Sequence, residues 1–457
     1  MSSPRISRRQ MLRLLAASGA GAVLAACGAP AAPTASEPTG APAEGASQPT
    51  AAPASGSSAY TGKFVIMSAG NAEQNQPLIT AIQDAHPGVT VEWRNLPSER
   101  YVELFTAAEV AGDQIDMMDL NGQDLRRYAL GGKMRDLSDL TYRDRFQDVG
   151  LQTYTIRSKL WALPRGGVSG FTFLYNKKAL EKVGFTQEPA TYDDLKALAP
   201  ALKDAGIAVF THPGKNIYLW PVWQFWAHAQ TSGNKAIENT AKTLAGEMKF
   251  TDPEHVAALE ALYRFAQDGM FIDSVNSLDG DAAWLPFAQG KAAFFYTHSS
   301  RIGSYRENQQ DFPELDMSLI PPVQIAPDVA RQMPGGTGSA TGIYANVAPE
   351  REALAYSILD LMTSDKWVKW SNDLNKDPVS TNKNVEASND PLALKYAAEC
   401  APNQITYLDW NWPPEITRAF QENQQALVAG TLAPDAAAQA IQDVLDELYQ
   451  DGYTFEV

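Results

Sequence analysis

The 457-residue chain has only two cysteines and five histidines, and both shortages exclude chemistry. It contains no His-Glu-x-x-His and no paired-cysteine spacing, so neither a catalytic nor a structural zinc site is expected. Cys27 ends a short apolar run far from the body, which leaves Cys400 as the one thiol of the body and removes any disulfide within it. Its context, Tyr396-Ala-Ala-Glu-Cys-Ala-Pro402, carries no nucleophile signature and predicts a packed helical cysteine. Gln289-Gly-Lys-Ala292 lacks the upstream glycine and the hydroxyl of a phosphate loop. Gly336-Thr-Gly338-Ser-Ala-Thr-Gly342 is one residue too long for a dinucleotide fingerprint and precedes a strand instead of following one. Asp373-Leu-Asn-Lys-Asp377 opens like a calcium loop, but Pro378 stands where glycine is required and Asn384 where a bidentate Glu is required. No cofactor and no metal are therefore expected. There is no Gly-x-Ser-x-Gly elbow and no internal repeat, which removes the usual hydrolase sign and an adhesive array. Positive charge is also short: 37 Lys and Arg face 53 Asp and Glu, a formal net charge of −16 that argues against nucleic acid or anionic lipid as partners.

What is present begins at the N-terminus. Arg5, Arg8 and Arg9 form a basic region, and Leu14 to Ala26 is uncharged but shorter than the ~20 apolar residues that span a bilayer. Leu24-Ala-Ala-Cys27 resembles a bacterial lipobox, which implies cleavage after residue 26 and lipidation of Cys27. Ser7-Arg8-Arg9-Gln10-Met11-Leu12 resembles a twin-arginine signal, leaving Tat and Sec export both open. Residues 28–59 are almost wholly Ala, Pro, Thr, Ser and Gly. With no large apolar side chain to bury, they cannot offset their ordering entropy, so 27–59 is expected to be a lipidated, disordered tether. Removing the leader takes four arginines and no acid, which lowers the charge to −20.

The body from Tyr60 exceeds the roughly 100–200 residues of one domain and should form two lobes. Short β-rich runs alternate with helical patterns: Lys63 to Met67, Val89 to Trp93, Asp116 to Leu120, Phe171 to Tyr175, Ile207 to Phe210, Ala292 to Tyr296 and Thr341 to Ala345. This is α/β order. Thr191-Tyr-Asp-Asp194 and Thr251-Asp-Pro-Glu254 read as capping boxes, the second preceding a stripe of Val256, Leu259, Leu262, Tyr263 and Phe265. Aromatic residues cluster in Tyr218-Leu-Trp220-Pro-Val-Trp223-Gln-Phe-Trp226, in Asp409-Trp-Asn-Trp-Pro-Pro414 and at Trp284. Flat rings suit the C–H faces of a pyranose. Trp223, Trp226, Trp367 and Trp370 fall at helical spacing and predict packing. Tyr218, Trp220, Trp410 and Trp412 stand at a helix start or in a Pro-rich turn and predict a cleft.

From Phe64 to Leu448 the body resembles the extracellular solute-binding proteins of ABC importers, the group that includes maltose- and other sugar-binding proteins. The resemblance is carried by Asp116-Met-Met-Asp-Leu120 with Ala129-Leu-Gly-Gly-Lys-Met-Arg-Asp-Leu137, by Phe171-Thr-Phe-Leu-Tyr-Asn-Lys177 through Lys182-Val-Gly-Phe185, and by Pro189-Ala-Thr-Tyr-Asp-Asp-Leu195. Phe287-Ala-Gln-Gly-Lys-Ala-Ala293 and Gly335-Gly336 before Thr341-Gly-Ile-Tyr344 follow in the family order. It implies a two-lobed periplasmic-binding-protein-like fold of type II, a Venus flytrap, with residues 60–168 plus 340–385 in lobe 1 and 169–339 plus 386–457 in lobe 2. Crossings are implied at Ser169 to Tyr175, at Gly338 to Ala345 and near residue 385. Ligand candidates follow from it position by position: Asn71, Glu73, Gln74, Asn121, Gln123, Asp124 and Ser169, then Tyr218, Trp220, Trp284, His298, Ser299, Gly335, Gly336, Trp410 and Trp412. After Phe294-Phe-Tyr296 the chain departs from the family, with Thr297-His298-Ser299-Ser300-Arg301 where many sugar binders place a Gly and a nearby Trp. His298 and Arg301 are thus candidates for a phosphate or carboxylate.

The implied role is non-enzymatic: a monomer on the outer face of the cytoplasmic membrane that hands a mono- or oligosaccharide to an ABC permease. The alternatives are a non-sugar solute such as a polyol phosphate or peptide, and a secreted carbohydrate-active enzyme. Cys27→Ala is expected to release the protein from membranes without altering solute binding. Fractionation of cells expressing both forms checks this, and a variant that stays with the membrane refutes the anchor.

Overall fold

The computed structural model describes residues 60–97, 100–120, 122–386 and 388–455, without the side chains of Gln123 and Asp124. The leader, Cys27, the tether and Asn121 lie outside the described residues. In chain order the strands are β1 (Gly62–Ser68), β2 (Val89–Asn95), β3 (Met117–Leu120), a ribbon of β4 (Thr155–Ile156) and β5 (Lys159–Leu160), β6 (Leu163–Pro164), β7 (Gly167–Asn176), β8 (Ala208–Thr211), β9 (Ala292–His298), β10 (Met317–Ile320), β11 (Met333–Thr337), β12 (Ala340–Ile343), β13 (Val379–Ser380) and β14 (Gln404–Ile405). All seven β-rich runs of the sequence fall on strands. β10 and β11 carry no such signal: Met333-Pro-Gly-Gly-Thr337 is poor strand sequence, and tertiary pairing makes it one.

The strands form two main sheets in a two-lobed α/β architecture. The first runs β2-β1-β3-β12-β6, with β2, β1 and β3 parallel and β12 antiparallel to both its neighbours. β1 is buried on both faces from Phe64 onward, as a strand between parallel neighbours must be. Its core draws on residues from Phe64 to Leu163 and again from Ala340 to Val368. The second sheet runs β14-β11-β7-β9-β8, with β10 and β13 also paired to β7. Its core draws on Phe171 to Val323 and Ile405 to Leu445, and a satellite cluster includes Trp284, Phe295, Tyr396 and Cys400.

Helix starts follow the sequence in one case and not the other. Thr191 Oγ1 accepts from Asp194 N at 3.1 Å, and Asp194 Oδ2 accepts from Thr191 N at 2.8 Å, so the first capping box forms. The helix Pro253–Gln267 starts with Asp252 as N-cap and no side-chain cap. Asp252 Oδ2 instead accepts from Lys249 N, so the Thr251–Glu254 box is not made. Trp223 and Trp226 are buried as their spacing predicts, and so is Trp367.

Where the chain passes between the two cores, buried polar contacts replace hydrophobic ones. Arg165 Nη1 donates to Asp119 Oδ2 at 2.7 Å and its Nη2 to Asn75 Oδ1 at 2.9 Å. Asp119 also accepts from Ser68 Oγ at 2.6 Å and from Thr341 Oγ1 at 3.2 Å. One carboxylate thus ties β1, β3, β12 and the segment leading into β7. Arg165 N donates to Ser339 O, Gly167 N to Asp377 Oδ2, and Thr381 Oγ1 to Gly166 O, so three passing segments are bonded side by side. Burial raises the Asp377 carboxyl to about 6, against the lowering effect of the Gly167 hydrogen bond.

Breaking a buried ion pair from one side costs about 3–5 kcal/mol because the other charge stays buried. Arg165→Ala is expected to lose that much stability, read as a fall in the urea midpoint. A loss below about 1 kcal/mol would refute the role assigned to the pair.

Candidate functional site

A cavity of ≈ 330 Å³ opens beside the passing strands. From the first core's side come Gly122, Arg126, Gln152, Thr153, Thr155 and Arg157, with Val149 and Ile156 between them. From the second come Gly335, Gly336, Gln404, Thr406, Trp410 and Asn411, with Ile237 and Ile405. The site is therefore built from both lobes, with apolar side chains, glycines and neutral polar groups together, the composition expected of a small-molecule cleft.

Its floor depends on two missing side chains. Gly170 on β7 pairs with Gly335 on β11, and a Cβ on Gly170 would come within 2.5 Å of the Pro334 carbonyl oxygen. A Cβ on Gly335 would collide with the Gln404 side chain. The close approach brings β11 and Gln404 to the cavity, where Gln404 Nε2 donates to the Tyr396 hydroxyl. On the wall, the Trp410 ring packs against Tyr407 at 4.8 Å between centroids. The same ring lies where a side chain on Gly122 would be, so the lobes touch at this point.

Of the residues predicted from sequence, Gly335, Gly336 and Trp410 line this cavity together. Asn71 closes a local turn, its Oδ1 accepting from Glu73 N at 2.7 Å, and Glu73 and Gln74 are exposed. Ser169 is buried in the β7–β11 pairing, and Ser299 Oγ accepts from Gly170 N at 3.1 Å beneath the floor. Tyr218 is 59% exposed and outside the lining. Three tryptophans belong to packing instead of a cleft wall. Trp220 is fully buried beside His212 and Phe271, with its N–H donated to Gly214 O. Trp284 stacks on Tyr305 at 3.9 Å and 5°, and Trp412 on Phe420 at 4.1 Å and 16°. Side chains of Gln123 and Asp124, and all of Asn121, lie outside the described residues.

His298 corrects the anion reading. Its Nε2 meets the Tyr407 hydroxyl at 3.0 Å and its Nδ1 the Ser300 hydroxyl at 2.7 Å. Burial, reinforced by the nearby Arg301 charge, lowers it to about 4, so the ring is neutral at physiological pH. It positions Tyr407 under Trp410 and offers no positive charge. The sequence reading also missed Arg126, Gln152, Thr153, Thr155, Arg157, Gln404 and Thr406. Arg157-Ser158 forms the β4–β5 turn with φ of 52° and 60°, a conformation that favours Asn-Gly and so left no hairpin signal. Asp409, one residue before Trp410, was missed as well: its Oδ1 is buried without a hydrogen-bond partner, and burial raises it to about 7.

A second, wider groove of ≈ 1430 Å³ runs along Gly303 to Glu307, the helix Asp365–Asn375 and β13. Its charges are of both signs and bonded to one another, as in Arg306–Asp390, Lys369–Asp373 and Lys376–Glu307. Among the described residues it contains none of the predicted ligand residues, so the smaller cavity is the candidate site.

Comparison with known proteins agrees with this architecture. Residues 69–369 match the family described as bacterial extracellular solute-binding protein. A binding protein of Brucella abortus is 23% identical over 63% of this chain and 67% of its own length. Among solved structures, a chitin oligosaccharide binding protein superposes with a TM-score of 0.71 at 19% identity, covering 85% of this chain and 98% of that one. A solute-binding protein in complex with raffinose gives 0.67 at 17% identity, covering 85% and 100%.

A raised carboxyl favours folding where the folded state holds the proton, so the contribution of Asp409 is complete below its ordinary value of 3.8 and is lost as pH rises towards about 7. Asp409→Asn removes that loss. The urea midpoint of the variant relative to wild type is expected to rise between pH 4 and 7 and level off above, and a gap independent of pH would refute the assignment.

Proposed function

We propose, for a chain that belongs to the bacterial extracellular solute-binding protein family, that it captures a saccharide between its lobes and delivers it to an ABC-type import permease. The observation that carries the reading is the cleft wall: a ring, Trp410, set against Gly122 of the opposite lobe, with backbone glycines and neutral polar side chains around it. A pyranose needs both, a flat apolar face for its C–H groups and donors and acceptors for its hydroxyls. The oligosaccharides named with two structural relatives support the same class.

Lobe 1 in this reading is residues 60–168 with 340–385, and lobe 2 is 169–339 with 386–457. Both move as bodies about the bonded segments at Arg165, Ser339 and Asp377. Ligand selects the closed form by binding both walls at once, and no covalent step is involved. Lipidation of Cys27 and the tether after it keep the protein at the outer membrane face, where its effective concentration at the permease is high. The permease and its ATPase are separate chains.

A carbohydrate screen by thermal shift tests this, since ligand at 100 times Kd adds about 2.7 kcal/mol to stability. A saccharide is expected to raise the midpoint without being cleaved. Trp410→Ala is expected to weaken that binding by about 2 kcal/mol, the scale of a buried aromatic anchor. Turnover of the sugar, or unchanged affinity in the variant, would overturn the reading.

A further inference from the structure

Gly122 opens the helix Gly122–Leu130, and its φ lies outside the left-handed region, so its backbone is open to any residue. Alanine would suit the position better, because it has less freedom to lose on folding. What excludes a side chain is space. A Cβ on Gly122 would lie 2.3 Å from Cζ3 of Trp410 and 2.7 Å from its Cε3 and Cη2, well inside van der Waals contact. The ring and the bare backbone it rests on belong to opposite lobes. We infer that Gly122 and Trp410 form the stop at which lobe closure ends, and that this stop sets the separation of the two cleft walls. The inference rests on the hinged reading of the lobes and is independent of which solute they hold.

A stop works only if the ring cannot yield, and lobe 2 backs it from two sides. The Tyr407 ring packs against Trp410 at 4.8 Å between centroids. Tyr407 is itself held, its hydroxyl 3.0 Å from His298 Nε2 at the end of β9 and its ring edge-on to Phe171 and Phe225. On another side Gly336 of β11 comes so near that a Cβ there would meet Trp410 Cη2 at 3.8 Å. Interiors this closely packed transmit a push instead of absorbing it. A side chain at Gly122 is therefore relieved by moving lobe 1 away, not by turning the ring.

A second contact bears on the same helix. One turn beyond Gly122, the Arg126 guanidinium lies 4.8 Å from the ring of Phe455, which packs on the second core near the end of the chain. Two separate segments of lobe 2 thus meet one helix of lobe 1, which constrains the angle of approach as well as its depth.

Interlobe distances measured by pulsed spin-label spectroscopy test this, on the full chain with Cys27→Ala and labels at Val110→Cys and Tyr218→Cys. Both label positions are exposed, one on each lobe and outside the cavity lining, while Cys400 is buried and stays unlabelled. Gly122→Val is expected to shift the distribution to longer distances, and Gly122→Ala to do so by less. Trp410→Ala alone is expected to admit shorter ones. Combined with Gly122→Val it removes the obstructing ring and is expected to reverse the lengthening, a coupling that only residues in contact show. A purely local role for the glycine would lower the urea midpoint without moving the labels. Distances unmoved by Gly122→Val, or by Gly122→Ala should the valine variant not fold, overturn the stop, as does a lengthening that Trp410→Ala fails to reverse. In either case a wild-type chain that samples more than one distance keeps the hinged reading. One narrow distance shared by wild type and every variant overturns the stop and the hinge together.

Discussion

The Asp119–Arg165 pair is the constraint on which the rest of the structure leans. Two charges in a nearly dry environment are tolerated only when every lone pair and proton is used. Here Ser68 and Thr341 add donors to Asp119, and Asn75 adds an acceptor for Arg165, each from a different part of the chain. The pair therefore fixes the end of β1, the end of β3, the middle of β12 and the point where the chain departs towards β7. Once Arg165 is held, Ser339, Gly166 and Gly167 have defined neighbours, and the three passing segments run together. The cleft floor is set from there, because Gly170 lies three residues further along the same strand.

How much of this was legible in the sequence differs by the range of the interaction that decides it. Strands rich in Val, Ile, Phe and Tyr were readable, since their own residues bury both faces. The Thr191 box was readable because cap and partner are three residues apart, whereas at Thr251 the neighbouring Asp252 reached back to Lys249. Tryptophans were harder. Trp220 and Trp410 both stand next to prolines or helix starts, and only the fold shows that one is enclosed by His212 and Phe271 while the other faces Gly122. β11 was hidden because Pro and Gly-Gly suppress strand propensity locally, and those same glycines permit the close pairing with β7.

The cleft residues that escaped notice share a cause. Arg157, Thr155 and Gln152 precede a stretch with no motif, and their use depends on a ribbon turn adopted against residue preference. His298 shows the opposite error: a residue type with an obvious chemical use is spent on orienting Tyr407. Desolvation decides between the two, since a ring enclosed by Phe171 and Tyr407 has no low-cost way to carry charge.

Cys400, the free cysteine among the described residues, is kept out of reach by the fold. It is buried against Thr172, and burial pushes the thiol up to about 12, so roughly one molecule in 10⁵ carries a thiolate at pH 7. A lone reactive thiol in an oxidising medium invites cross-links between molecules and stepwise oxidation. With the sulfur enclosed and protonated, Cys400 is shielded from both reactions.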